Sequence, residues 1–112
     1  MVKQTPFVPA RGDLVWLQFA PQAGHEQMGR RPALIVSNDI FNQNTGLCLV
    51  CPVTNTDNGF PLHVPLQEAR TTGVVMVEQM RSIDPKSRNA EYIESVSAAM
   101  LSSVLSLVKK IF

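Results

Sequence analysis

No apolar run in this sequence approaches the ~18 to 20 residues needed to span a bilayer, and the N-terminal MVKQTPFVPARGD lacks the apolar stretch of a signal peptide. A cytoplasmic protein with no membrane role is therefore expected. Cysteine is scarce, with Cys48 and Cys51 alone, set as CLVC in a strand-like run. An odd separation in a strand sends the two side chains to opposite faces, so they should be buried thiols rather than a disulfide. A zinc site needs four ligands, and beyond two cysteines that point to opposite faces the chain offers only His25 and His63, so no metal or other cofactor is expected. An excess of one charge is lacking too: ten basic residues face nine acidic ones. That excludes a protein coated in lysine, so any nucleic-acid contact must be local. Internal repeats, linkers, a P-loop, a nucleophile elbow and a Rossmann fingerprint are all missing.

What remains is a chain of 112 residues, 45% of them hydrophobic, which suits a single domain over 1–112 and leaves apolar surface to share with a second copy. After a proline-bearing tail, GDLVWLQF places apolar residues in both alternate sets, a strand covered on both faces. Trp16 within it is expected to pack in the core or an interface rather than stack on a base. Ala20 to Arg30 has no apolar periodicity and carries Pro21, Gly24 and Gly29, so it reads as a long loop. RPALIVS is the next strand, with Pro32 at its start because proline cannot donate to a ladder. Ser37, Asn38 and Asp39 offer caps for a helical turn that Asn44, Thr45 and Gly46 close.

Three further strands are read from LCLVCPVT, from PLHVPL with Leu62, Val64 and Leu66 on one face, and from GVVMVEQM running into RSID. A DNGF turn joins the first two. His63 alternates with the apolar set and is expected to point outward without a role. Val96, Met100, Val104, Val108 and Ile111 recur at helical spacing behind Ser95 as N-cap, with Lys109 and Lys110 at the C-terminal end of the helix dipole. Met100 and Val104 belong to the core. Short strands, long loops and one terminal helix describe a mainly β protein, a small, strongly bent β-barrel with a C-terminal α-helix packed on it.

Residues able to do chemistry gather in the long loop: His25, Glu26, Arg30 and Arg31, with Thr54 at a strand end. By themselves they are a weak signal, since surface loops commonly carry such groups. Four fragments in order, GDLVWLQFAP, GHEQMGRRPALIVS, the strand-ending CPVT and GVVMVEQMRSID, resemble the MazF/PemK family of toxin ribonucleases. The resemblance implies an SH3-like barrel of the MazF/PemK/CcdB type, a homodimer, sequence-dependent cleavage of single-stranded RNA and a cognate antitoxin partner. It puts the family's catalytic arginine on Arg31, its threonine on Thr54 and its loop acid on Glu26. His25 replaces the serine found in several members. Gln27, Gln79, Arg81 and Arg88 fall at positions resembling RNA-contacting ones, although Arg81 and Arg88 also fit solvated rim charges.

Cleavage without a metal proceeds by attack of the ribose 2′-oxygen on phosphorus, and needs a base, positive charge for the phosphorane and an acid for the leaving 5′-oxygen. Arg31 suits charge stabilisation, because its planar fork matches phosphate oxygens and stays protonated. Thr54 can donate a hydrogen bond but is too weak an acid to transfer protons unaided. Proton transfer is left to Glu26, which is favoured, to His25, or to Arg31 itself. The alternative reading is a non-enzymatic toxin that poisons a protein such as DNA gyrase on the same type of fold.

Overall fold

The computed structural model describes residues 7–19, 29–56 and 59–112. Its centre is an antiparallel trio, β1 (Asp13–Gln18), β2 (Arg30–Ile35) and β3 (Cys48–Thr54), which form because each is an unbroken apolar run bounded by glycine or a turn. The register sets Leu14 opposite Leu34 and Ala33 opposite Pro52. Between β2 and β3 lies α1 (Asp39–Thr45), capped by Asn38, whose side chain accepts from the Phe41 amide at 2.8 Å. Gly46 closes it in the left-handed conformation, as the turn chemistry predicts.

β4 (His63–Pro65) pairs with β5 (Val74–Met76), which pairs with the Thr54 end of β3. A one-turn 3-10 helix (Val77–Gln79) then separates β5 from β6 (Arg81–Ile83), which pairs with the Cys48 end of β3. The single strand expected over GVVMVEQM and RSID is therefore broken. The 3-10 turn takes up extra residues while the chain continues along the same neighbour, so the register differs on its two sides.

β7 (Glu91–Ser95) was not anticipated and pairs with β1 across a bulge at Leu14 and Val15. α2 (Ala98–Ile111) completes the chain. Its N-cap is Ser97 rather than Ser95: Ser97 Oγ accepts from the Met100 amide at 3.2 Å, whereas Ser95 lies in β7 and donates to Asp13. The sheet order is β4-β5-β3-β2-β1-β7, with β6 also on β3. The result is a mainly antiparallel, barrel-like sheet, open among the described residues, with a C-terminal helix.

Two apolar cores lie on the two faces of the central strands. Leu14, Leu34, Cys51, Val53, Val75 and Val77 meet Met100 and Val104 of α2 on one face. Val15, Leu17, Ala33, Ile35, Cys48, Val50 and Ile83 form the other. Each fully buried aliphatic side chain contributes about 1.5–3 kcal/mol, so the trio is the rigid platform from which its strand ends project. Cys48 and Cys51 fall in different cores, as their spacing predicts, and burial pushes their thiols up to about 11 and about 12, with nearby Asp13 and Glu78 adding to the effect. At neutral pH both remain protonated and unreactive.

Candidate active site

At one end of the central strands the two cores stop and polar residues begin. Arg31 stands opposite Leu17 and shares its face, but where Leu17 is buried Arg31 is exposed. On β3 the ladder with β2 ends at Ala33 and Pro52, and two residues further along each strand come Arg31 and Thr54 on the same face. Strand alternation thus delivers a guanidinium and a hydroxyl side by side.

They line a cleft of about 780 Å³, walled also by Trp16, Pro32, the Arg70–Thr72 segment and Tyr92. Arg31 additionally borders a hollow of about 170 Å³ with Phe19, Gln79 and Arg81. Thr54 borders another of about 390 Å³ with Phe60, His63, Glu78 and Gln79. Arg31 and Thr54 therefore sit where three concavities adjoin.

The neighbouring arginines differ in what they are free to bind. Arg30 is occupied: its Nη2 lies 2.9 Å from Glu91 Oε1 and its Nη1 donates to the Asn89 carbonyl at 3.2 Å. The Arg31 side chain makes no hydrogen bond or ion pair among the described residues. Its five donors are unoccupied in an open cleft, ready for an anion that a planar fork can hold. Thr54 Oγ1 accepts from the Thr56 amide at 3.2 Å, which orients the hydroxyl and leaves its proton available to donate.

The Thr54 backbone is held by its pairing with Val74, next to Gly73. Gly73 has φ +124°, and a Cβ there would lie 2.6 Å from the Thr54 carbonyl oxygen. Gly73→Ala is expected to cost about 1–3 kcal/mol through strained backbone and this collision. Urea denaturation should show the loss, and cleavage activity should fall with it because Thr54 must shift.

Across the cleft, Glu94 ties the 70–72 segment to β7. Its carboxylate accepts from Thr71 Oγ1 at 2.6 Å, from the Thr71 amide at 2.8 Å and from the Arg70 amide at 3.2 Å. The Thr71 hydroxyl lowers the Glu94 pKa from its ordinary value, opposed by burial as the next largest effect and aided by the two backbone amides and the Arg70 charge. A depressed carboxylate contributes stability that is present above its unfolded pKa and lost as pH falls through its folded one. The Arg70–Thr72 wall should therefore loosen as pH falls, with the Glu94 carboxyl titrating below the ordinary glutamate value by NMR; a midpoint above the ordinary value contradicts the arrangement.

The structure brings together Arg31, Thr54, Gln79 and Arg81 of the residues singled out from sequence. Arg81 lies with its guanidinium carbon 5.5 Å from the Phe19 ring centroid. Arg88 is elsewhere: its Nη1 donates to the Gln18 and Phe19 carbonyls at 3.2 and 3.1 Å, so it braces the end of β1 and borders none of the three concavities. His25, Glu26 and Gln27 lie outside the described residues.

Trp16 is 39% exposed and lines the cleft, facing Pro32 and Glu91 where neither core reaches, so of the core and interface positions expected for it the core is ruled out. One expectation is corrected. His63 does not point outward: its side chain is 7% exposed and its Nε2 lies 2.9 Å from Glu78 Oε2, because the 3-10 turn brings Glu78 over it. The Arg70–Thr72 wall and Tyr92 carried no motif, and only the contacts of β7 reveal them. Among the described residues no three His, Cys, Asp or Glu side chains cluster as metal ligands.

A guanidinium without a partner among the described residues and an oriented hydroxyl, at the junction of three concavities on an open barrel-like sheet, offer donors of the kind that an anion such as a phosphodiester can accept from. Residues 10–112 match the family described as the PemK-like, MazF-like toxin of type II toxin-antitoxin systems, and the chain belongs to that family. The chain is 40% identical over 84 residues to the endoribonuclease toxin MazF of Escherichia coli strain K12, covering 75% of this chain and 76% of that one. It is 41% identical over 100 residues to the endoribonuclease PemK of Escherichia coli, covering 85% and 75%. Its fold superposes on a crystal structure of MazE-MazF from Deinococcus radiodurans with a TM-score of 0.83 at 44% identity, over 95% of this chain and 96% of that one.

Proposed function

We propose that this chain is the endoribonuclease toxin of a type II toxin–antitoxin pair, cutting single-stranded RNA at a preferred short sequence without a metal ion. The observation that carries the reading is Arg31, a guanidinium with no partner among the described residues, lining an open cleft with Thr54. Named endoribonucleases among its relatives support the same activity. The alternative of a gyrase-poisoning binder has no support from these relatives.

In the proposed reaction the ribose 2′-oxygen attacks the adjacent phosphorus, and its proton passes to Glu26 or His25. Arg31 neutralises charge developing on the equatorial oxygens, and Thr54 Oγ1 donates to one of them. The bond to the 5′-oxygen breaks as that oxygen takes up a proton, leaving a 2′,3′-cyclic phosphate and a 5′-hydroxyl. Gln27, Gln79 and Arg81 contact the flanking nucleotides, while Arg88 braces the end of β1 through the Gln18 and Phe19 carbonyls.

The MazE-MazF complex among the structural neighbours supports a cognate antitoxin as partner here. An isologous homodimer is the assembly proposed, and the cytoplasm the location; no helix among the described residues is long and apolar enough to cross a membrane. The test is incubation with a long single-stranded RNA in EDTA, mapping the new ends. Cuts at a recurring motif with 5′-hydroxyl ends are expected, and intact RNA from folded protein contradicts the proposal.

A further inference from the structure

The concavity on the far side of Thr54 has a composition that phosphate chemistry does not explain. Phe60 presents a ring that is 45% exposed, and the centroid of that ring lies 5.4 Å from the His63 imidazole, inclined at 57°. His63 is in turn held by Glu78 through the Nε2 to Oε2 contact of 2.9 Å. Together these fix an aromatic face at the mouth of a cleft of about 390 Å³, large enough for a nucleobase. Glu78 lines the same cleft, and its Oε1 is buried without a hydrogen-bond partner among the described residues. A buried acceptor left unmatched is costly, and a ligand N–H that reaches the carboxylate removes the cost.

We propose that Phe60, His63 and Glu78 form a base-recognition pocket that selects a nucleobase with an exocyclic amino group at a nucleotide flanking the scissile bond. The inference rests on the endoribonuclease reading and names part of its specificity. Phe60 supplies a stacking face, which any base can use. Glu78 supplies discrimination. An ionised carboxylate only accepts, so it pairs with the amino group of adenine, cytosine or guanine and is repelled by the two carbonyl oxygens that flank the one N–H of uracil. His63 is a positioning residue that fixes both. Thr54 borders this pocket and the main cleft alike, so the base held here belongs to a nucleotide adjoining the phosphate at Arg31.

The test begins with a short RNA containing the motif that wild-type protein cuts. Each base flanking the cut is replaced in turn by its analogue lacking the amino group, such as purine for adenine. At one position, kcat/KM of the wild type should fall at least roughly tenfold. In Glu78→Leu, which has no acceptor, the same replacement should matter less than about threefold, and Phe60→Ala should raise KM at least roughly fivefold. The pocket's role is overturned if uracil is preferred on both sides of the cut, if every amino group can be removed within about threefold, or if Glu78→Leu retains the full wild-type discrimination. RNA left uncut by folded wild-type protein instead overturns the endoribonuclease reading beneath it. The wild-type analogue scan stands even if a variant folds poorly.

Discussion

Arg31→Ala is expected to lower RNA cleavage by roughly 10²- to 10³-fold, the loss typical of removing a preorganised donor from a developing negative charge. The side chain is exposed at its strand position and has no partner among the described residues, so its removal orphans none of them. Stability should stay within about 0.5 kcal/mol of wild type. Arg31→Lys is the informative companion. It keeps the charge but loses the fork, and should recover only part of the activity, because two parallel hydrogen bonds to phosphate oxygens need the planar group. Arg30→Ala should behave oppositely, altering cleavage little, since Glu91 and Asn89 already occupy that guanidinium. Rates under single-turnover conditions, with melting temperatures measured alongside, check all three. Equal losses at Arg30 and Arg31 would show that bulk positive charge, rather than the placement of one fork, drives the reaction.

The second large effect concerns the proton. Glu26→Gln is expected to slow cleavage by roughly 10²- to 10⁴-fold, the usual contribution of a positioned acid or base. The competing assignment to His25 predicts a different pH profile. A base must be deprotonated to work, so kcat/KM rises with pH through the base's own pKa. For a carboxylate that limb lies near ~4.3 and for an imidazole near ~6.5 before environmental shifts. With Glu26 as base, wild-type activity is already level above about pH 6, and His25→Ala leaves the acid limb where it was. An acid limb centred near 6.5 that disappears in His25→Ala transfers the role to the histidine.

How much of this was legible in the sequence depends on which side chains face apolar surroundings. β1, β2 and β3 were readable because burial on both faces demands continuous apolar runs, and GDLVWLQF, RPALIVS and LCLVCPVT supply them. α1 was readable from Asn38 and Gly46, whose capping chemistry is local. β7 was not, because EYIES lies at the sheet edge across a bulge, with Glu91 and Tyr92 exposed and no alternation to detect. The break between β5 and β6 escaped for a related reason: VEQ is as compatible with a strand as with a single 3-10 turn.

The same limits shaped the site. Arg31 and Thr54 could be named from a resemblance, yet their meeting on one face follows from a register that no local pattern encodes. The inward turn of His63 is not legible locally, because its partner Glu78 is fifteen positions away and reaches it through the 3-10 turn. Ser95 and Ser97 are both acceptable caps by residue type, and the end of β7 decides between them.

The central claim is that the Arg31–Thr54 cleft cuts RNA through the substrate's own 2′-oxygen. The most direct test is a pair of oligonucleotides identical except for a 2′-deoxyribose at the nucleotide 5′ of the mapped cut, incubated with the protein in EDTA. The ribose version should be cut to a 2′,3′-cyclic phosphate and a 5′-hydroxyl, and the deoxy version should bind but stay whole. Cleavage of the deoxy substrate at the same bond would contradict the account, because the nucleophile would then be water or a protein group.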